Sequence, residues 1–216
     1  ERLLALRPFS QTALEGLAWC AFHRGDFEAA SRYCARLVEL TPEHFERRYN
    51  HGVALHRLEK LEQAEKAYEE AASLKPDHVQ TWANLGVVRH TLGNLKGARE
   101  AYETALRLNP DLPEVMSNLA GLLEAQGHPE EAEPLYERLV AKHPEFTDAQ
   151  FRLGYLRLCR GDALGAIEAF EQCVQERPDW VEAHVNLGLA YRQTGEVEKS
   201  ARHFQRAAEL KPDSVE

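Results

Sequence analysis

A chain of 216 residues with 44% hydrophobic and 28% charged side chains has the composition of a folded, soluble protein, not a disordered one. Its formal charge of −9 and the lack of any Lys/Arg block exclude the concentrated basic face that nucleic acid requires, and no apolar run is long enough to enter a membrane.

Seven prolines (Pro8, Pro42, Pro76, Pro110, Pro144, Pro178 and Pro212) stand 34 residues apart without exception, in a chain that holds only ten. With this proline as position 32, six repeats follow in chain order: 11–44, 45–78, 79–112, 113–146, 147–180 and 181–214. Position 8 is small in each (Ala18, Gly52, Gly86, Ala120, Gly154, Gly188), as is position 20 (Ala30, Ala64, Ala98, Ala132, Ala166, Ser200). Position 24 is bulky after the first repeat (Cys34, Tyr68, Tyr102, Tyr136, Phe170, Phe204). Small residues let two helices approach, and the bulky one fills the space beside them. Position 15 is glycine in all but one repeat (Gly25, Glu59, Gly93, Gly127, Gly161, Gly195), which suits a left-handed stop to a first helix. The proline stops a second helix. Between the stops lie stretches of about a dozen residues with apolar side chains at three- and four-residue steps. Each repeat is therefore read as a helical hairpin, and stacked hairpins make a solenoid.

Residues 1–10 fit the last ten positions of a further repeat, with Leu3 at position 27 and Pro8 at 32, and Val215-Glu216 fit the start of another. A fragment of a longer array is expected, whose unfinished last helix, bearing Phe204, Ala207 and Leu210, allows end-to-end self-association. Several residues break the pattern. Arg48 and Gln150 stand where a large apolar residue is usual at position 4, His51 replaces leucine at position 7, and Pro134 lies within a second helix. Looser packing or local kinks are expected there.

The columns resemble the tetratricopeptide repeat family, most closely through Trp82, Leu85, Gly86, Gly93, Ala98, Tyr102, Ala105 and Pro110 of the third repeat. The resemblance implies an all-α, right-handed superhelical solenoid of antiparallel helix pairs, with the first helix of each pair lining a concave groove. Position 6 of that groove reads Gly16, Asn50, Asn84, Asn118, Arg152 and Asn186. A carboxamide both donates and accepts, so a row of them can pair with successive peptide groups of an extended ligand. The row is similar to the asparagine ladder of O-linked N-acetylglucosamine transferase and kinesin light chain. Asparagine also belongs to the family consensus at this position whether or not anything binds. Arg152 interrupts the row and suits a carboxylate.

Specificity is expected from neighbouring positions. Trp19, Phe22, Tyr49 and Val53 form an early cluster and Phe151, Tyr155 and Leu158 a late one, with Val87 a further groove position; aromatics at helical spacing serve a core as readily as an interface. Position 2 is largely acidic (Glu46, Glu114, Asp148, Glu182), which suits a solvated edge first and a basic ligand second. The lysines of the family's chaperone-binding clamp are missing, which argues against that ligand.

His56 and His90 share position 12 in adjacent repeats, but two imidazoles alone make an incomplete metal set, so neither metal nor cofactor is expected. Cys20, Cys34, Cys159 and Cys173 form no Cys-x-x-Cys pair; free thiols and a reducing, cytoplasmic setting are favoured. No phosphate-cradling glycine loop, Gly-x-Ser-x-Gly elbow or His-Glu-x-x-His pair is present. The chain is thus read as a scaffold for a protein or peptide partner, with no catalytic centre. Two rival readings are the substrate-recruiting portion of a larger enzyme such as a glycosyltransferase, and a self-assembling structural array.

Overall fold

The computed structural model describes residues 10–211, and these are helices joined by short turns, with no strand among them. In chain order they are α1 (Gln11–Arg24), α2 (Phe27–Leu40), α3 (Phe45–Arg57), α4 (Leu61–Leu74), α5 (Val79–Thr91), α6 (Leu95–Leu108), α7 (Pro113–Ala125), α8 (Pro129–Lys142), α9 (Thr147–Cys159), α10 (Ala163–Glu176), α11 (Val181–Gln193) and α12 (Val197–Leu210). The partial repeat expected over 1–10, apart from Ser10, and the further start at 215–216 lie outside the described residues. Two compact units are resolved, Glu1–Val115 and Met116–Glu216.

Within the first unit, consecutive helices in the run α1 to α6 pack on one another. Within the second, consecutive helices in the run α8 to α12 do the same, and the first helices α9 and α11 also touch directly.

The turn between the two helices of a repeat is closed the same way six times. Gly25, Gly93, Gly127, Gly161 and Gly195 have φ between 72° and 90°, as position 15 predicts. The next residue's N–H reaches back to a carbonyl five residues earlier, as from Asp26 to Ala21 at 2.9 Å and from Asn94 to Arg89 at 2.9 Å. Glu59 takes the glycine's place at φ 56°, the one non-glycine with positive φ among the described residues. Its Cβ makes that conformation costly.

The small-against-bulky pairing of positions 8 and 24 is visible atom by atom. A Cβ on Gly52 would lie 2.8 Å from Cδ1 and Cε1 of Tyr68, and one on Gly154 would lie 2.9 Å from Cε1 of Phe170. Tyr68 and Phe170 are fully buried as a result. In the first repeat both partners differ: Ala18 stands at position 8 and the small Cys34 at position 24, and both are buried.

Position 4 has a role that its apolar consensus hides. The Nε1–H of Trp82 donates to the carbonyl of Pro76 at 2.8 Å. Arg48 donates from Nε to Pro42 at 2.6 Å, and His184 from Nε2 to Pro178 at 3.1 Å. The helix-ending proline leaves a carbonyl needing a donor, and three different side chains supply one. Arg48 therefore keeps the capping bond while losing the bulk. Several of the irregular positions border surface hollows. A hollow of about 270 Å³ is lined by Arg48 and His51, and another of about 270 Å³ by Gln150, Val140 and Pro144. Pro134 is accommodated inside α8, which continues through it, with the ring on the exposed side.

A second period, twice the first, runs through the side chains. Arg89 binds Glu65 at 3.0 Å, Glu69 at 2.6 Å and the carbonyl of Gly97 at 3.2 Å. Sixty-eight residues later Arg157 binds Glu133 at 3.7 Å, Glu137 at 2.9 Å and the carbonyl of Gly165 at 3.3 Å. Glycine suits 97 and 165 because a Cβ there would sit 2.7 Å from Asn94 Nδ2 or 2.5 Å from Asp162 Oδ2, and in both places 3.0 Å from the arginine Cδ. The same alternate repeats cap their second helices, with Asn94 accepting from Gly97 N–H and Asp162 from Gly165 N–H, each at 3.0 Å. Asp26 does likewise for Ala29 at 2.9 Å, whereas Lys60, His128 and Glu196 give no side-chain cap.

Candidate functional site

Two hollows in the first compact unit lie between successive first helices. One, about 380 Å³, opens between α1 and α3 and is lined by Glu15, Trp19, Phe22, Glu46, Arg47 and Asn50 over a floor of Cys34 and Leu37. The other, about 710 Å³, opens between α3 and α5 and is lined by Val53, His56, Arg57 and Asn84 over Tyr68. Helix α3 contributes to both, since Asn50 and Val53 lie one turn apart. Each hollow thus contains one ladder asparagine and one apolar residue expected at the binding face, and each is floored by its position-24 residue.

The two asparagines differ in commitment. Asn50 is exposed. Asn84 donates from Nδ2 to the Tyr49 hydroxyl at 3.3 Å, which leaves its Oδ1 and a second N–H. Tyr49 is half-buried, stacked on Phe45 at 6.0 Å and edge-on to His78 at 4.9 Å. Burial raises its phenol pKa, against a lowering contribution from Asn84. It is a support for the hollow more than an anchor. Val87 is half-buried on α5.

In the second unit Asn118 and Asn186 are half-buried, and Asn186 Nδ2 donates to the carbonyl of Glu182 at 2.8 Å. Arg152, expected to await a ligand carboxylate, already has one. It lies 3.2 Å from Glu124 Oε1, while the other oxygen of that carboxylate accepts from the Tyr136 hydroxyl at 3.3 Å. Phe151 stacks on Trp180 at 4.5 Å and meets Phe170 edge-on at 5.5 Å, so it belongs to the packing; Leu158 is buried there too. Tyr155 is exposed, as an anchor must be.

His56 and His90 do not pair. Each lies edge-on to the tyrosine of its own hairpin, His56 to Tyr68 at 6.3 Å and His90 to Tyr102 at 6.5 Å. Burial lowers the pKa of His56, with Arg57 adding to the effect. His128, Glu130 and Glu131 bring one ligand atom each within 4.8 Å of one another at the start of α8. His128 pairs with both acids at 3.6 to 3.7 Å, which accounts for their approach. The four cysteines are free thiols. Cys20 and Cys159 are exposed, and burial pushes Cys34 and Cys173 up to about 12.

A further cluster was not legible in the sequence. His184 must carry its proton on Nε2, because Pro178 O can only accept. With His184 neutral, its Nδ1 accepts from Nδ1–H of His203 at 3.0 Å. The two rings stack at 5.3 Å, and Tyr191, bonded to Glu171, stacks on His203 at 5.7 Å. Burial lowers the His203 pKa, and a charge on His184 lowers it further.

Family models of the tetratricopeptide repeat match residues 49–113, 90–153, 148–179 and 181–214. A model of the anaphase-promoting complex, cyclosome, subunit 3 matches residues 1–71. The chain is a tetratricopeptide repeat protein. Such proteins are generally non-catalytic scaffolds that bind protein or peptide partners. YrrB, described as a TPR protein with an unusual peptide-binding site, matches with a TM-score of 0.77 at 23% identity, over 84% of this chain and 94% of its own. A MamA structure (AMB-1) matches at 0.72 and 23% identity, over 79% and 93%. PilF of Pseudomonas aeruginosa matches at 0.71 and 15% identity, over 95% and 93%. These are likenesses of fold. No match was found among curated proteins. Among the described residues no helix is long and apolar enough to cross a membrane.

Proposed function

We propose that the chain is a protein-interaction scaffold that holds an extended peptide segment across α1, α3 and α5. The observation that carries this reading is the pair of hollows adjoining α3, each with a ladder asparagine at its wall. Asn50 offers a free carboxamide and Asn84 a free oxygen, which together suit the alternating N–H and C=O of an extended backbone. Trp19 and Val53 stand beside them as apolar contacts for side chains. Asn118 and Asn186 supply the same chemistry in the second compact unit, while Glu124 reduces the capacity of Arg152 to hold a second carboxylate. The description of YrrB as peptide-binding is in keeping with this use of the fold.

The test is a peptide array followed by fluorescence anisotropy on the tightest binder. Replacing Asn50 and Asn84 together with alanine should weaken that peptide about thirtyfold, at about 1 kcal/mol per lost hydrogen bond, with helicity unchanged. An affinity equal to that of the parent chain would refute the reading.

A further inference from the structure

Building on the peptide-groove reading, we infer that the hollow between α1 and α3 takes a lysine or arginine side chain of the captured segment. Trp19 is 62% exposed, the most open aromatic ring among the large hydrophobic residues. It is held in place by His23, whose ring centroid lies 3.8 Å away and whose Nδ1 is 2.9 Å from the Trp19 carbonyl. An indole presented this way attracts a cation to its face.

Two carboxylates share the hollow. Glu15 uses Oε1 to hold Arg47 at 2.6 Å, and Glu46 uses Oε2 towards His44 Nδ1 at 3.1 Å. Oε2 of Glu15 and Oε1 of Glu46 have no partner among the described residues. Arg47 is the one permanent cation in the lining, so a negative charge is left over. An acidic ligand side chain is repelled there, and a purely apolar one would strip water from both carboxylates without compensation.

The backbone of the same residue also has a place. Arg47 is 9% exposed at its side chain and is committed to Glu15 and Gln11. The exposed carboxamide of Asn50 leaves a donor for a ligand carbonyl beside the site for the cation. Cys34 and Leu37 floor this hollow, and its 380 Å³ is ample for one long side chain.

The experiment uses the full chain and biotinylated decapeptide libraries with one position fixed as Arg, Lys, norleucine, Gln or Glu and the rest randomised. Arg- and Lys-fixed libraries should bind about tenfold more tightly than Gln- or Glu-fixed ones. Glu15→Gln/Glu46→Gln should erase that preference and keep binding to the Gln-fixed library, and Trp19→Ala should reduce the preference while weakening every library. If the double variant does not fold, Glu46→Gln alone should still reduce the preference, since its carboxylate touches only His44. Libraries that bind without favouring basic residues would overturn this inference and leave the groove reading intact, as would a preference that survives the substitutions. Binding to no library would overturn both.

Discussion

Asn84 on α5 donates to the hydroxyl of Tyr49 on α3 at 3.3 Å, whereas Asn50, its counterpart one repeat earlier, is exposed with its carboxamide uncommitted. Equivalent positions in the sequence are therefore unequal in what they can offer a ligand. Asn50→Ala should weaken peptide binding more than Asn84→Ala, each within about tenfold, because Asn84 keeps only part of its capacity for the ligand. Anisotropy on the two single variants checks the order; a reversed order would contradict it.

Two glycines in adjacent repeats should respond with opposite signs to alanine. Gly16, in the middle of α1, has nothing within 4 Å of an added Cβ, so Gly16→Ala should stabilise by about 0.5–1 kcal/mol. Gly52 faces the Tyr68 ring at 2.8 Å, so Gly52→Ala should destabilise by about 1–3 kcal/mol through overpacking. Urea melts of both variants read the difference.

Glu59 sits at φ 56° where the other five repeats have glycine. Glu59→Gly should raise stability by about 1 kcal/mol, the left-handed penalty outweighing the extra freedom of glycine in the unfolded chain. Its carboxylate lines the larger hollow, so peptide affinity measured beside stability shows whether the strain serves binding.

Much of the fold was legible because backbone stops and close approaches recur with the repeat: the proline, the left-handed glycine and the small–large pair each act within one hairpin. The site was legible only in part. Asn50, Val53, Trp19 and Asn84 line hollows as their positions imply. Phe151 could not be told from an anchor without knowing that Trp180 covers it, and Arg152 could not be told from a free cation without Glu124, 28 residues away. Such choices are made between hairpins, by side chains whose reach no periodicity records.

Pro134 withholds an N–H from α8 and presses on the preceding turn. Pro134→Ala should stabilise the second compact unit by up to about 3 kcal/mol, seen as slower hydrogen exchange along α8.

The pairing of His184 and His203 makes α11 and α12 sensitive to acid. His203 has its pKa lowered in the folded state by burial first and by His184 second. The unfolded chain therefore binds the proton more readily, and stability falls as the pH drops below about 6.5 and on through the lowered folded value. Around the pair lie Tyr191, Glu171 and Lys199, of which Glu171 opposes the shift. His203→Phe should flatten the dependence of the α11–α12 melt between pH 7 and pH 5; an unchanged slope would place its origin elsewhere.

The arginine–glycine match at Arg89/Gly97 and Arg157/Gly165 has a bearing on how such a chain can be lengthened or shortened. Each match, with its glutamates, is complete within 45–112 or within 113–180. Copying or deleting a pair of hairpins keeps every guanidinium beside the glutamates of the hairpin before it, whereas a single-hairpin edit sets Leu55 or Leu123 against glutamates meant for a cation. The modular element of this array is the tandem, and splicing in tandems should be tolerated where splicing in singles is not.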